Sequence, residues 1–391
     1  MATPTPATPP PRYTHPPPTP LYTLLTHLST LFTLPFHLPS LLNTLFSSPS
    51  TPPPLSHYTT LLEPPSPKYP ISAATLPHHL HIHVLKSGRK LGYAVFGSED
   101  ANARVIFRCH GFPGSAVEGA SCHEFCKGVG VRLVVVDRPG MGLGRGEEGA
   151  ELLGIARDVE ELAEALGVGR FGVLGVSGGG PAVLSCAYHI PSPKLQVATL
   201  ICGLGPPDIG MRGADIAHRL AFPHMRWIPG FLIKAFFQSD VLAQTHLPDD
   251  VRLQKLLHPD NFKTAHAKDV EVLGDVDNMC LINATARHTY WQGFEGLVRD
   301  AKVSCSPFGF EVGDIRRDLP VRLWYGSLDV FVPPVQGVTI AKRLEGRGEG
   351  VVRLELLEET HASIFFKRRE EALRDMVECM ERADEVERRG R

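Results

Sequence analysis

Two patterns of apolar spacing divide the chain. In residues 1–70 the apolar positions repeat at helical intervals, at Leu21, Leu24, Leu25, Leu28, Leu31 and Phe32, and again after Pro35 at Leu38, Leu41, Leu42 and Leu45. Thr, Ser and His fill the opposite face. From about residue 71 the apolar residues gather into short runs separated by amphipathic stretches. Strands alternating with helices in this way predict a mostly parallel sheet.

Eight such runs are legible. His79 to Leu85 and Lys90 to Phe96 flank a Ser87-Gly88 turn and read as an opening hairpin. Val105 to Cys109, Val131 to Val136, Phe171 to Val176, Leu195 to Cys202, Val321 to Tyr325 and Val351 to Leu357 read as buried strands. Between them, Leu152 to Leu166 is a charged amphipathic helix stopped by Gly167, and a Glu/Arg-rich helix closes the chain from about 364 to 388. The alternation lapses between about 206 and 305. That stretch is mainly helical and carries Phe222, Met225, Trp227, Ile228, Phe231, Leu232, Phe236 and Phe237. A helical insertion after the sixth strand would lie as a lid over the strand ends.

Composition sharpens the boundary near residue 70. Of 35 prolines in the chain, 19 precede it, and Glu63, Arg12 and Lys68 are the only charged side chains there. Proline at this density interrupts regular structure. No positive n-region abuts the apolar part, which argues against a secretory signal, and Arg is too scarce for a mitochondrial leader. A spanning helix needs ~20 apolar residues, and Thr, His and two prolines interrupt this stretch. Two readings stay open: a disordered tail, or a weak membrane-surface association through residues 21–46.

A formal net charge of −2 and a pI near 6.8 give no global pull toward nucleic acid, and no nucleic-acid partner is expected. The eight cysteines are scattered, and most lie in apolar runs. Cys122 and Cys126 are one helical turn apart, but no second Cys/His pair follows at zinc spacing. No metal or cofactor is expected. Reduced thiols favour an intracellular, cytoplasmic setting, with a membrane-associated or organellar one open.

The chemistry concentrates at strand ends. Gly175-Val176-Ser177-Gly178-Gly179 is a G-x-S-x-G pattern between a strand and a helix, where a tight turn would leave the Ser177 oxygen exposed. No Gly-Lys-Ser/Thr follows, which excludes a P-loop, and the motif falls too late in the chain for a dinucleotide turn. A serine hydroxyl needs a base, and the base an orienting acid; behind a strand–turn–helix serine elbow of this kind they follow in the chain order Ser, acid, His. Asp329 follows the seventh strand and His361 the eighth; Asp208, after the sixth, is the reserve acid. An acyl-transfer intermediate also needs preset donors for its oxyanion. The N–H groups of Gly178 and of Phe112, in His110-Gly111-Phe112-Pro113-Gly114, are the candidates, with His110 as a brace for that loop.

These stretches, with Asp137-Arg138-Pro139-Gly140-Met141-Gly142 and Gly326-Ser327-Leu328-Asp329, resemble the α/β-hydrolase superfamily, within it the serine-nucleophile haloperoxidases and esterases. The match spans roughly residues 80 to 385. The resemblance implies the α/β-hydrolase fold: a mostly parallel eight-stranded sheet, helices on both faces, and a helical lid (206–305) inserted after the sixth strand, all within residues 71–391. It implies Ser177 as nucleophile, Asp329 as acid, His361 as base, and Phe112 and Gly178 as the oxyanion hole. Two departures stand out: Thr360 precedes the histidine where the family often has Gly, and Gly144 stands where Ser is common. A serine rather than an aspartate at the elbow favours hydrolysis of an ester or thioester of a hydrophobic small molecule. C–C bond hydrolysis, lyase chemistry and a non-catalytic binding role use the same framework and stay open.

Overall fold

The computed structural model describes residues 68–72, 75–146 and 151–390. The candidate membrane-surface segment 21–46 lies outside the described residues. Among the described residues, no helix is long and apolar enough to cross a membrane.

Eight strands form one sheet: β1 (Leu80–Val84), β2 (Lys90–Gly97), β3 (Arg104–Cys109), β4 (Val131–Val136), β5 (Phe171–Val176), β6 (Leu195–Ile201), β7 (Val321–Gly326) and β8 (Val352–Leu357). Their spatial order is β1-β2-β4-β3-β5-β6-β7-β8. β2 runs antiparallel to both β1 and β4, and all other neighbours are parallel. β5 and β6 are buried along their whole length, as apolar parallel strands covered on both faces must be. The predicted strands recur within two residues. The first is shorter than expected because Leu76–His79 turns helically into it.

One apolar cluster forms on each side of the sheet. Val159, Leu162, Val183 and Leu319 belong to the first, and Ile106, Val117, Leu373 and Met376 to the second. Every crossover between parallel strands carries the chain back to the same end of the sheet, so β3, β5, β7 and β8 deliver their C-terminal ends to one edge. That edge holds every candidate residue.

Between β6 and β7 the chain makes the α-helices Ile216–Ala221, Gly230–Gln238, Asp249–Leu256, Ala267–Leu273, Val276–Thr289 and Glu295–Ser304. They share a small apolar cluster around Met225, Ile233, Ala286 and Leu297. They also dock back on the sheet side, where the Ser115 hydroxyl donates to the Thr285 carbonyl at 3.1 Å.

The packed body begins earlier than the predicted boundary at 71. Tyr69 is buried, and its hydroxyl bonds Asn278 Oδ1 at 2.6 Å. Lys68 pairs with Asp275 at 2.9 Å. An isolated Lys-Tyr pair at the end of a proline-rich stretch carries no periodicity from which this docking is readable.

Candidate active site

Ser177 follows β5 in a left-handed conformation, φ 52°, which a residue with a Cβ seldom adopts. The turn is tight enough to require glycine on both sides. A Cβ at Gly175 would stand 2.6 Å from the Gly179 carbonyl oxygen, and one at Gly179 would stand 2.3 Å from the Cys109 carbonyl oxygen. The chain then enters helix Gly180–His189.

His361 joins the two other candidates. Its Nε2 lies 2.9 Å from Ser177 Oγ, and its Nδ1 lies 2.7 Å from Asp329 Oδ2. The other carboxylate oxygen, Oδ1, accepts the N–H groups of Phe331 at 2.8 Å and Val332 at 2.9 Å, which fixes the plane of the acid. Asp329 is 2% exposed. Burial works against protonating His361, but the charge of the Asp329 carboxylate overrides it and holds the imidazole well above its ordinary value.

Asp208 is elsewhere. It projects from the Pro207–Ile209 turn to the surface and pairs with Arg343 at 3.2 Å, so it is not the partner of His361.

His361 opens the closing helix, His361–Gly390, three residues before the predicted start. Thr360 and Ser363 cap it reciprocally: the Thr360 N–H donates to Ser363 Oγ at 2.8 Å, and the Ser363 N–H donates to Thr360 Oγ1 at 3.2 Å. Thr360 also bonds Asp269 of the insertion at 2.5 Å, a tie that a glycine at this position cannot make.

Phe112 and Gly178 meet closely. A Cβ on Gly178 would stand 3.0 Å from the Phe112 nitrogen and 2.3 Å from its Cβ. Their loops are held by Arg138, which is buried. Its guanidinium donates to the carbonyls of His110 (2.6 Å), Gly111 (2.7 Å) and Gly178 (3.3 Å). His110 braces the same loop: it accepts the Arg138 N–H at Nε2 (3.2 Å), which leaves Nδ1 to donate to the Gly111 carbonyl (2.8 Å). Burial drives its pKa well below the ordinary value, consistent with this neutral tautomer.

Glu118 accepts the Gly111 N–H at 3.2 Å and pairs with the buried Arg108 at 2.8 Å. Burial still raises its carboxyl above the usual range. Sequence reading missed Glu118, Arg108 and the role of Arg138, because none falls in a recognisable spacing relative to the loop it serves.

Cys202, just past β6, is a second omission. It is buried, adopts φ 41°, and brings its sulfur within 4.8 Å of ligand atoms of Asp329 and His361. Both imidazole nitrogens of His361 are already engaged, by Asp329 and Ser177, and the Cys202 thiol donates toward the His361 carbonyl at 4.0 Å. The cysteines carry no disulfide, and Cys122 and Cys126 are buried as small hydrophobes.

A cavity of about 250 Å³ opens onto Ser177 and His361. Phe112 and Phe365 line it from the sheet side, and Leu242, Leu281, Ile282 and Tyr290 line it from the insertion.

A family model described as the alpha/beta hydrolase family matches residues 109–373. Among solved structures, a hydrolase from Pseudomonas aeruginosa PA01 is 19% identical with TM-score 0.51, over 76% of this chain and 98% of that one. The enol-lactonase from Burkholderia xenovorans LB400 is 18% identical with TM-score 0.51, over 77% and 99%. An esterase from Rhodococcus sp. ECU1013 is 16% identical with TM-score 0.50, over 77% and 98%. At these identities the likeness speaks for the fold. No curated protein sequence matches the chain. The family model covers more than half of the sequence and the solved structures share its sheet, so the chain belongs to the α/β-hydrolase family of enzymes.

Proposed function

We propose that this hydrolase cleaves a carboxylic ester or thioester of a hydrophobic small molecule through an acyl-serine intermediate. The observation that carries the reading is His361, held between Ser177 at 2.9 Å and Asp329 at 2.7 Å at the floor of an apolar cavity.

In this reading His361 Nε2 takes the Ser177 proton as Oγ attacks the substrate carbonyl carbon. The carbonyl oxygen becomes an oxyanion facing the N–H groups of Phe112 and Gly178, each worth about 10²–10³ in rate in comparable sites. As the C–O or C–S bond breaks, His361 returns the proton to the leaving group. Water then attacks the acyl-serine with His361 again as base, releasing the acid and restoring Ser177. Asp329 keeps the imidazole in the tautomer that presents Nε2 to the serine and stabilises its charged form.

The cavity supports the substrate class. Most of its lining residues are apolar, leucine, isoleucine and phenylalanine among them, which favours an acyl or alkyl group over a charged one. Four of the named lining side chains come from the insertion and a fifth, Phe112, meets its Phe237 edge-on, so the insertion would serve as the lid over the site.

The test is a panel of p-nitrophenyl esters and thioesters of increasing chain length, with a fluorophosphonate as label. Turnover and stoichiometric labelling are expected in the native protein, both abolished by Ser177→Ala with the fold intact. Labelling that persists in the alanine variant would overturn the nucleophile assignment.

A further inference from the structure

From Ile216 to Gln238 the insertion contains no acidic residue, yet it carries Arg219, Arg226 and Lys234 with His218 and His224. The same stretch leaves large apolar side chains in solvent: Trp227 is 70% exposed, Phe236 68%, Leu220 62%, and Phe231 and Leu232 are also exposed. Helix Gly230–Gln238 buries Ile233 and Ala235 but leaves Phe231, Leu232 and Phe236 exposed. Single exposed apolar residues are ordinary, but a run of this density marks an interaction surface.

Its charges point to the partner. Lys234 pairs with Glu295 at 2.9 Å and His218 with Asp215 at 2.7 Å. Among the described residues, Arg219 and Arg226 have no carboxylate partner. Arg226 lies over the Trp227 ring at 4.4 Å, so a cation stands beside the most exposed aromatic side chain of the stretch. A tryptophan with an uncompensated arginine, set among exposed Phe and Leu, suits a boundary between acyl chains and anionic headgroups.

The surface reaches the candidate active site by two routes. The Phe236 ring meets Phe237 edge-on at 5.3 Å, and Phe237 meets Phe112 edge-on at 5.4 Å, where the cavity begins. On another side, His218 meets the exposed Phe331 at 4.5 Å, and Phe331 lies 5.5 Å from His361.

We infer that residues 219–236 form a docking surface for an anionic lipid bilayer or monolayer, which sets the cavity mouth against the lipid phase. Docking does not depend on the reaction; only the entry of an ester from that phase rests on the esterase reading above.

The test uses the full chain with vesicles of phosphatidylcholine alone or mixed with phosphatidylserine. Binding is read by co-sedimentation and by the blue shift of Trp227, in the native protein and in a Trp227→Phe control. Native protein is expected to bind the phosphatidylserine vesicles more strongly, and less so as salt rises. Trp227→Ser with Phe231→Ser should weaken binding by at least about ten-fold, given the apolar area removed. Arg219→Glu with Arg226→Glu should abolish the preference for phosphatidylserine. Both double variants should hydrolyse a soluble short-chain ester as the native protein does, so a loss of labelling at Ser177 is separable from a loss of docking. Undiminished binding in both variants would overturn the inference and place lipid contact elsewhere, as at the leucine stripe of residues 21–46. Absence of native binding would overturn it too. So would a native dimer that the apolar variant splits into monomers, since the surface would then cover a second copy of the chain.

Discussion

Arg138 and Asp300 meet at 3.0 Å in the interior, joining the turn after β4 to helix Glu295–Ser304 of the insertion. Both are almost fully buried. Because the same guanidinium holds the carbonyls of His110, Gly111 and Gly178, the pair couples the insertion to the loops that carry both candidate oxyanion donors. Asp300→Asn leaves the arginine charge without its counterion in a dry setting. We expect a loss of roughly 3–5 kcal/mol in unfolding free energy, as for other broken buried pairs. Urea denaturation checks the stability, and a drop in kcat larger than any rise in KM checks the coupling to the oxyanion loops.

The acid assignment yields a paired prediction. Asp329→Asn should lower kcat by about 10⁴ with the fold preserved, because the amide no longer holds the imidazole in the productive tautomer. Asp208→Asn should change turnover little, since Asp208 spends its charge on Arg343 at the surface. A severe effect at Asp208 with a silent Asp329 would reverse the assignment.

The pH dependence follows from His361. Its pKa stands well above the ordinary imidazole value, and the base works only when neutral. kcat/KM should therefore fall with decreasing pH along a single limb whose midpoint lies above about 6.5. Linked stability has the opposite sign. Protonated His361 favours the fold fully below about pH 6.5, and that contribution fades as pH rises through the higher folded value. His110 is buried and neutral, so His110 adds no ionisation to this profile. A pH–rate profile with Asp329→Asn as comparison tests this: the midpoint should move down when the carboxylate charge is removed.

The elements that place the site were legible because each is local. The run Phe171 to Val176 and the glycines around Ser177 encode a strand, a tight turn and a helix within a short window. Asp329 and His361 follow comparable strands, so chain order alone brought them to the right edge of the sheet. Chain order did not separate Asp329 from Asp208, since both stand beyond strand ends; only the direction of the side chains does. Arg138 with Asp300, Tyr69 with Asn278, and Thr360 with Asp269 were beyond reach for another reason. Each joins distant segments across turns, and nothing in the spacing near either partner records the other. The early start of the closing helix was missed because Ser363 fills the capping position where Glu or Gln is the familiar signal.

A glycine substitution tests the elbow without touching a reacting group. Gly179→Ala would put a methyl 2.3 Å from the Cys109 carbonyl and 2.9 Å from that of His110, both backbone atoms that cannot step aside. We expect loss of soluble protein or a displaced Ser177 with activity reduced by at least about 10², the scale expected when reacting atoms are misplaced by an ångström. Gly154→Ala, on an open helix face with nothing within 4 Å, is the control and should leave activity and Tm unchanged or slightly raised.

The N-terminal boundary gives the last prediction. Every described strand and every candidate catalytic group lies after residue 72, so removal of residues 1–67 should leave hydrolysis of a soluble short-chain ester intact. Removal through Ile71 is a different experiment. It deletes Tyr69, whose buried ring and 2.6 Å bond to Asn278 tie the start of the body to helix Val276–Thr289, and whose hydroxyl also lies 3.4 Å from Arg369 on the closing helix. It also deletes the buried Ile71. Loss of a large buried aromatic side chain costs about 3–5 kcal/mol. Asn278 would in addition lose its phenol partner while buried, at a further cost of about 1–3 kcal/mol. The chain beginning at Lys68 should match the full chain in thermal midpoint, whereas the chain beginning at Ser72 should melt several degrees lower. Tyr69→Phe separates the two contributions, since it keeps the ring and removes only the bond. Equal melting of the two truncated chains would mean that Tyr69 and Ile71 are replaceable by solvent, and that the body begins at the hairpin of β1 and β2.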